Sequence, residues 1–174
     1  MNAVTPRRVA CSFAPVAVLA AFALLAGCAS DPYNVPLGAT RSEVLQRAGA
    51  PTATYPLARG GERFQYSRAP MGFEVNNVDL DASGRVVSVI QEMDERYFAQ
   101  TIQIDKWRVD DVLRTYGRPY EITQVSSFNG NVWSWRYMQI NNPRFLYIYV
   151  DPQGVVRRYH VGDDLRYDER RFRW

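Results

Sequence analysis

Histidine, lysine and cysteine are nearly missing from this 174-residue chain, which holds only His160, Lys106 and the pair Cys11 and Cys28. With both cysteines near the start, the body of the chain has none, so neither a His-rich zinc site nor a Cys/His nucleophilic pair can form there. No disulfide can brace that body, and its stability must come from packing. The glycines are scattered through turns and build no phosphate-cradling loop. The formal charge is only +3, and no Lys/Arg stripe of the kind that binds nucleic acid is present. Neither a cofactor nor a metal is expected, and no catalytic residue is assigned. His160 falls on an expected strand and reads as structural. Asp163 and Asp164 are adjacent carboxylates without further spaced ligands, and read as solvated loop residues rather than a cation site.

Long apolar runs are scarce too, with one exception. After Arg7 and Arg8, the stretch from Val9 to Ala26 carries no charge and ends in Leu25-Ala26-Gly27-Cys28. A positive start, an apolar centre and small residues at the end are the build of a secretory leader. The closing four residues resemble the lipobox of bacterial lipoproteins. That resemblance implies cleavage before Cys28 and acylation of Cys28 itself. Several buried acyl chains, at about 0.8 kcal/mol per CH₂, would make such an anchor effectively permanent. Ala29 stands where an Asp would mark retention, so the same resemblance implies sorting to the outer membrane. Loss of Arg7 and Arg8 with the leader would bring the remaining charge close to neutral.

What is present in quantity is a repeat. Glu43-Val44-Leu45-Gln46-Arg47-Ala48-Gly49-Ala50-Pro51 recurs as Asp111-Val112-Leu113-Arg114-Thr115-Tyr116-Gly117-Arg118-Pro119, Phe64-Gln65-Tyr66 as Trp133-Ser134-Trp135, and Asp81-Ala82-Ser83-Gly84 as Asp151-Pro152-Gln153-Gly154. Three blocks in one order, each returning after about 70 residues, indicate a duplicated unit. Thr40 and Glu43 have the spacing of a capping box, and Gly49 with Pro51 stops the helix that follows. Val109, Val112, Leu113 and Tyr116 share one face of the second helix, which Gly117 and Pro119 end. Asp94 to Gln103 is a further short helical segment.

The later blocks alternate and read as strands. Phe64 and Tyr66, like Trp133 and Trp135, lie on one face, while Arg63, Gln65 and Ser134 point to the other. Hairpin loops at Asp81–Gly84 and Asp151–Gly154 join strands at about Glu74 to Leu80 and Arg85 to Gln91, and at Phe145 to Val150 and Val155 to Val161. The expected fold is α+β: two tandem units, each a helical segment packed on an antiparallel meander of three or four strands. The division is 1–27 leader, 28–36 lipidated linker, 37–93 first unit, 94–163 second unit and 164–174 an Arg/aromatic tail.

Gly38-Ala39-Thr40, Glu43-Val44, Gly49 and Pro51, followed by aromatic strands and preceded by a lipobox, resemble the SmpA/OmlA (BamE-like) family of outer-membrane lipoproteins. Doubled, the fold is similar to that of the β-lactamase inhibitory protein. The resemblance implies a lipid-anchored, periplasm-facing module that works by protein–protein contact in outer-membrane protein assembly or envelope integrity, with the barrel-assembly machinery a candidate partner. Two other classes stay open: an inhibitor-like binder of a periplasmic enzyme, and a lipid- or peptidoglycan-binding lipoprotein. The sequence departs from the family pattern where Lys106-Trp107-Arg108 replaces Gly38-Ala39-Thr40, and in having two units.

Two surfaces are candidates for contact. Phe145, Tyr147 and Tyr149 share one strand face, opposite Leu146, Ile148 and Val150, so the sheet has two apolar sides. If helices cover the aliphatic side, the aromatic side faces a partner or the other unit. In the tail, Arg170, Arg171, Arg173 and Trp174 offer an anion or membrane contact.

Overall fold

The computed structural model describes residues 31–164. Cys28 and the tail residues Arg170, Arg171, Arg173 and Trp174 lie outside the described residues. The architecture is α+β, with two antiparallel four-stranded meanders, β1-β2-β3-β4 and β5-β6-β7-β8, each following a helical segment. The first sheet comprises β1 (Ala53–Pro56), β2 (Glu62–Ser67), β3 (Val75–Leu80) and β4 (Val86–Gln91), and the second β5 (Glu121–Thr123), β6 (Asn131–Gln139), β7 (Asn142–Val150) and β8 (Val156–Asp163). Helix α1 spans Arg41–Ala48, α2 Glu95–Thr101 and α3 Val109–Tyr116. The fourth strand of each sheet is the one that apolar alternation does not mark: β1 ends in proline and alternates only between half-buried and exposed, and β5 is exposed throughout. Both are edge strands, where neither a buried face nor a second hydrogen-bonding neighbour selects the residues.

The repeat is visible bond by bond. Arg41 N–H donates to the Gly84 carbonyl at 2.9 Å as Val109 N–H does to Gly154 at 3.1 Å. Val86 and Val156 N–H donate to Ala39 and Trp107 carbonyls, each at 2.9 Å. Asp81 Oδ1 accepts from the Ser83 and Arg85 amides, and Asp151 Oδ1 from those of Gln153 and Val155. These carboxylates replace the missing backbone partners of the turn, and the bonds hold both pKa values below the usual range, led by the Ser83 hydroxyl for Asp81 and by the Val155 amide for Asp151.

The two helix starts differ for a chemical reason. Thr40 and Glu43 make the full capping box, Thr40 N–H to Glu43 Oε2 at 2.7 Å and Glu43 N–H to Thr40 Oγ1 at 3.3 Å. At α3 the Asp111 carboxylate accepts from Arg108 N–H at 2.9 Å, but an arginine side chain has no acceptor to return the bond. Arg108 instead donates to the Gln153 carbonyl at 2.8 Å, tying the helix start to the β7–β8 loop.

Two cores result. Val35, Ala39, Val44, Ala48, Phe64, Tyr66, Val78, Leu80 and Val86 close the small one between α1 and the first sheet. The larger gathers Phe98 and Ile102, Val112 and Tyr116, Trp135, Tyr137, Leu146, Ile148, Val150 and Val156, and also draws in Val75 and Met93 from the first half. Phe98 meets Tyr137 edge-on at 5.2 Å and Tyr116 at 6.0 Å, the geometry that ring quadrupoles favour.

The polar face of the first sheet is not a solvated face. Gln65 and Asn77 are 2% and 1% exposed, because the C-terminal turn of α3 docks there. Tyr55 donates to the Leu113 carbonyl at 3.3 Å, Arg63 to Arg114 at 3.3 Å, Gln65 to both carbonyls at 3.2 Å, and Asn77 to Thr115 at 2.9 Å. Helix C-terminal carbonyls lack intrahelical donors and carry the negative end of the helix dipole. The Leu113 carbonyl also takes the Gly117 N–H at 2.8 Å, whereas side chains of the first half supply the donors for Arg114 and Thr115, so α3 is held between its own sheet and its neighbour's.

Candidate functional site

Strand register assembles the outer face of the second sheet. Arg136 pairs with Phe145 and Phe145 with Gly162; Ser134 pairs with Tyr147 and Tyr147 with His160; Val132 pairs with Tyr149 and Tyr149 with Arg158. Strand pleating therefore places Arg136, Phe145, Tyr147, Tyr149, His160 and Arg158 on one side, opposite the Leu146, Ile148 and Val150 that face the core.

The arrangement is a ladder of rings and guanidinium groups. Tyr120 and Phe145 have centroids 5.5 Å apart, and Phe145 and Tyr147 5.6 Å. Tyr147 stacks on His160 at 4.7 Å with 15° between planes. Phe128 stands edge-on to Tyr149 at 5.1 Å, and the Arg158 guanidinium lies 3.9 Å above the Tyr149 ring. At the other end the Arg136 guanidinium covers Phe73 at 4.7 Å and Tyr120 at 5.8 Å. Stacking of an exposed guanidinium such as Arg158 contributes about 0.5–1 kcal/mol, whereas the Arg136 guanidinium is also tied through its edge to Asp164.

This packing changes what the three expected surface residues present. Phe145 and Tyr149 are 6% and 8% exposed and Tyr147 is half-buried, so the first two are not contact groups as they stand. Nor are they buried between the two halves: their ring neighbours Tyr120, Phe128, Arg158 and His160 all belong to the second half, while the Phe73 ring and the Met71 carbonyl of the first half reach the ladder at Arg136. What the face offers outward is polar and cationic: the exposed Arg158 and His160, with Tyr147 between. Partial burial, and then the charge of Arg158, hold the His160 imidazole below its ordinary pKa, so it is neutral at pH 7 and able to accept as well as donate a hydrogen bond.

Of the two carboxylates expected to be solvated loop residues, Asp163 is exposed but ends β8, and Asp164 is buried. Asp163 pairs with Arg144 at 3.1 Å. Asp164 is buried and receives both Nε and Nη2 of Arg136, at 2.9 and 2.7 Å. Their carboxylates are engaged by arginine, which argues against a cation site there. Among the described residues no three His, Cys, Asp or Glu side chains converge as a metal site.

Arg136, Arg158, Tyr120, Phe128 and Phe73 were not singled out in the sequence. Extending the alternation of Trp133 and Trp135 would have put Arg136 in line with Ser134, but only the register shows that this line faces Phe145 and Tyr147. Phe73 and Phe128 lie in loops, with no periodicity to mark them.

No family model matches the chain, and no curated protein matches it. Among solved structures it is similar to a DUF4309 family protein (YjgB) from Bacillus subtilis subsp. subtilis str. 168, with 9% identity and a TM-score of 0.30 over 72% of this chain and 79% of that one.

Proposed function

We propose that this protein is an outer-membrane lipoprotein, anchored through an acylated Cys28 and facing the periplasm, that works by binding an envelope protein rather than by catalysis. The observation that carries the reading is the run from Arg7 to Cys28: two cations, an uncharged apolar stretch and Leu-Ala-Gly-Cys. A lipid anchor confines the module to the membrane surface and raises its effective concentration for a partner there. The resemblance to SmpA/OmlA proteins points to outer-membrane protein assembly or envelope integrity as the process, with the barrel-assembly machinery as the candidate partner. The Arg158–His160–Tyr147 surface suits protein contact, since it combines rigid rings with a guanidinium group and sits on a hydrogen-bonded sheet.

The test is in cells. Wild type should incorporate radiolabelled palmitate and fractionate with the outer membrane, and Cys28→Ser should do neither. A photoreactive residue at His160 should capture an envelope protein in wild type and lose it in Cys28→Ser. Failure of wild type to take up label overturns the anchor, and capture that is undiminished in the Cys28→Ser chain overturns the tethering mechanism.

A further inference from the structure

An open cavity of about 640 Å³ lies where β4, α2 and the last turn of α3 meet, with Arg63, Glu92, Asp94, Arg96, Tyr97 and Trp107 in its lining. Its charges are unevenly matched. Asp94 is neutralised by Arg96, with carboxylate contacts at 3.0 Å. Arg63 is held bidentately by Asp79, at 2.6 and 2.8 Å. Glu92 is left over. It is 5% exposed, and among the described residues its carboxylate accepts one hydrogen bond, from Asn77 Nδ2 at 3.1 Å, and pairs with no arginine or lysine.

A buried carboxyl without a cation is costly unless something supplies the positive charge or a proton. Burial pushes the Glu92 pKa up, against the Asn77 hydrogen bond and the more distant Arg63. The cavity that borders this carboxyl also carries the indole of Trp107, a ring type whose faces attract cations, and the phenol of Tyr97, over which the Arg96 guanidinium already lies at 5.8 Å. An anion would meet Glu92. A purely apolar ligand would strand the polar lining. A divalent metal would lack a second free carboxylate.

We propose that this cavity binds an organic cation, a primary ammonium or guanidinium group, with the Glu92 carboxylate as its counter-ion and the Trp107 ring beside it. The same chemistry is carried by a free small amine and by a lysine or arginine side chain of a polypeptide. The site is independent of the lipid anchor and of the ring ladder on the second sheet.

The experiment uses the full chain purified in detergent, with isothermal titration and Trp fluorescence as readouts. The probes are 1,5-diaminopentane, the peptide acetyl-Gly-Lys-Gly-amide and, as an anion, acetate. Saturable binding of at least one cationic probe is expected, weakened about ten-fold or more by Glu92→Gln and unchanged by Asp110→Asn, an exposed carboxylate change on α3; a ten-fold loss corresponds to about 1.4 kcal/mol. Preference for the capped peptide points to a polypeptide source, and preference for the diamine to a free amine. Glu92→Gln keeps an acceptor for Asn77; should it still fail to fold by circular dichroism, Trp107→Leu supplies the second reading and should weaken binding several-fold. No binding of either cation up to about 10 mM, well short of any useful affinity, equal binding by wild type and Glu92→Gln, or tighter binding of acetate than of the cations overturns the proposal.

Discussion

Gly117 ends α3 against Gln65: a Cβ on the glycine would lie 2.9 Å from Gln65 Oε1, and the Gln65 amide in turn donates to the Leu113 and Arg114 carbonyls at 3.2 Å. One glycine thus brings the helix end of one half close enough to be capped by the sheet of the other.

The repeat provides its own control for this contact. Gly49 and Gly117 hold nearly the same backbone, φ 76°, ψ −163° and φ 68°, ψ −160°, a region that only glycine occupies without strain of about 1–3 kcal/mol. A Cβ on Gly49 would meet nothing within 4 Å. Gly49→Ala should cost the backbone strain alone, about 1–3 kcal/mol; Gly117→Ala should cost more, because Gln65 and Ser67 must also give way. Urea unfolding of both variants checks the order, and equal costs would mean that the close approach contributes nothing.

Arg136 and Asp164, with side chains 9% and 2% exposed, make a buried ion pair. Removing one member leaves the other charge uncompensated, so Asp164→Ala should destabilise by about 3–5 kcal/mol. The double variant Arg136→Met, Asp164→Leu should recover much of that loss, since a buried pair is often replaceable by apolar groups. Thermal melts of the three proteins test the coupling.

His160 should titrate below an ordinary histidine in a proton NMR titration. Arg158→Gln removes the smaller of the two causes, so the midpoint should rise while staying below the free value, because partial burial persists. With its folded pKa below the unfolded one, the residue's contribution is present above the unfolded pKa and is lost as pH falls through the folded pKa. A midpoint unmoved by Arg158→Gln would leave burial as the whole cause.

At the helix starts, Thr40→Ala should cost about 1 kcal/mol through loss of the cap on the Glu43 amide. Arg108→Ala should leave the Asp111-to-backbone bond intact and break only the tie to Gln153. Guanidinium denaturation comparing the two should therefore show the larger loss for Thr40→Ala.

Local signals carried much of the fold. The capping box at Thr40, the glycine stops at Gly49 and Gly117, the Asp81 and Asp151 loops and the alternation of β2 and β6 each depend on residues a few positions apart, where chemistry and spacing decide the conformation. The edge strands β1 and β5 escaped because exposed strands impose no apolar pattern. The candidate face was half legible: pleating put Phe145, Tyr147 and Tyr149 together, but their burial depends on Tyr120, Phe128 and Arg158, which arrive from loops and another strand.

The sequence by itself determined that the chain is a duplicated α+β unit with helices stopped by glycine and strands that alternate, because hydrogen bonding and side-chain periodicity within ten residues suffice for that. Only the tertiary structure decided that Gln65 and Asn77 are interior groups and that Glu92 is a buried acid that no arginine or lysine among the described residues pairs with. Whether a polar side chain meets water or a helix end depends on what docks against its sheet. The docking helix here, α3, lies some 40 residues away in the chain.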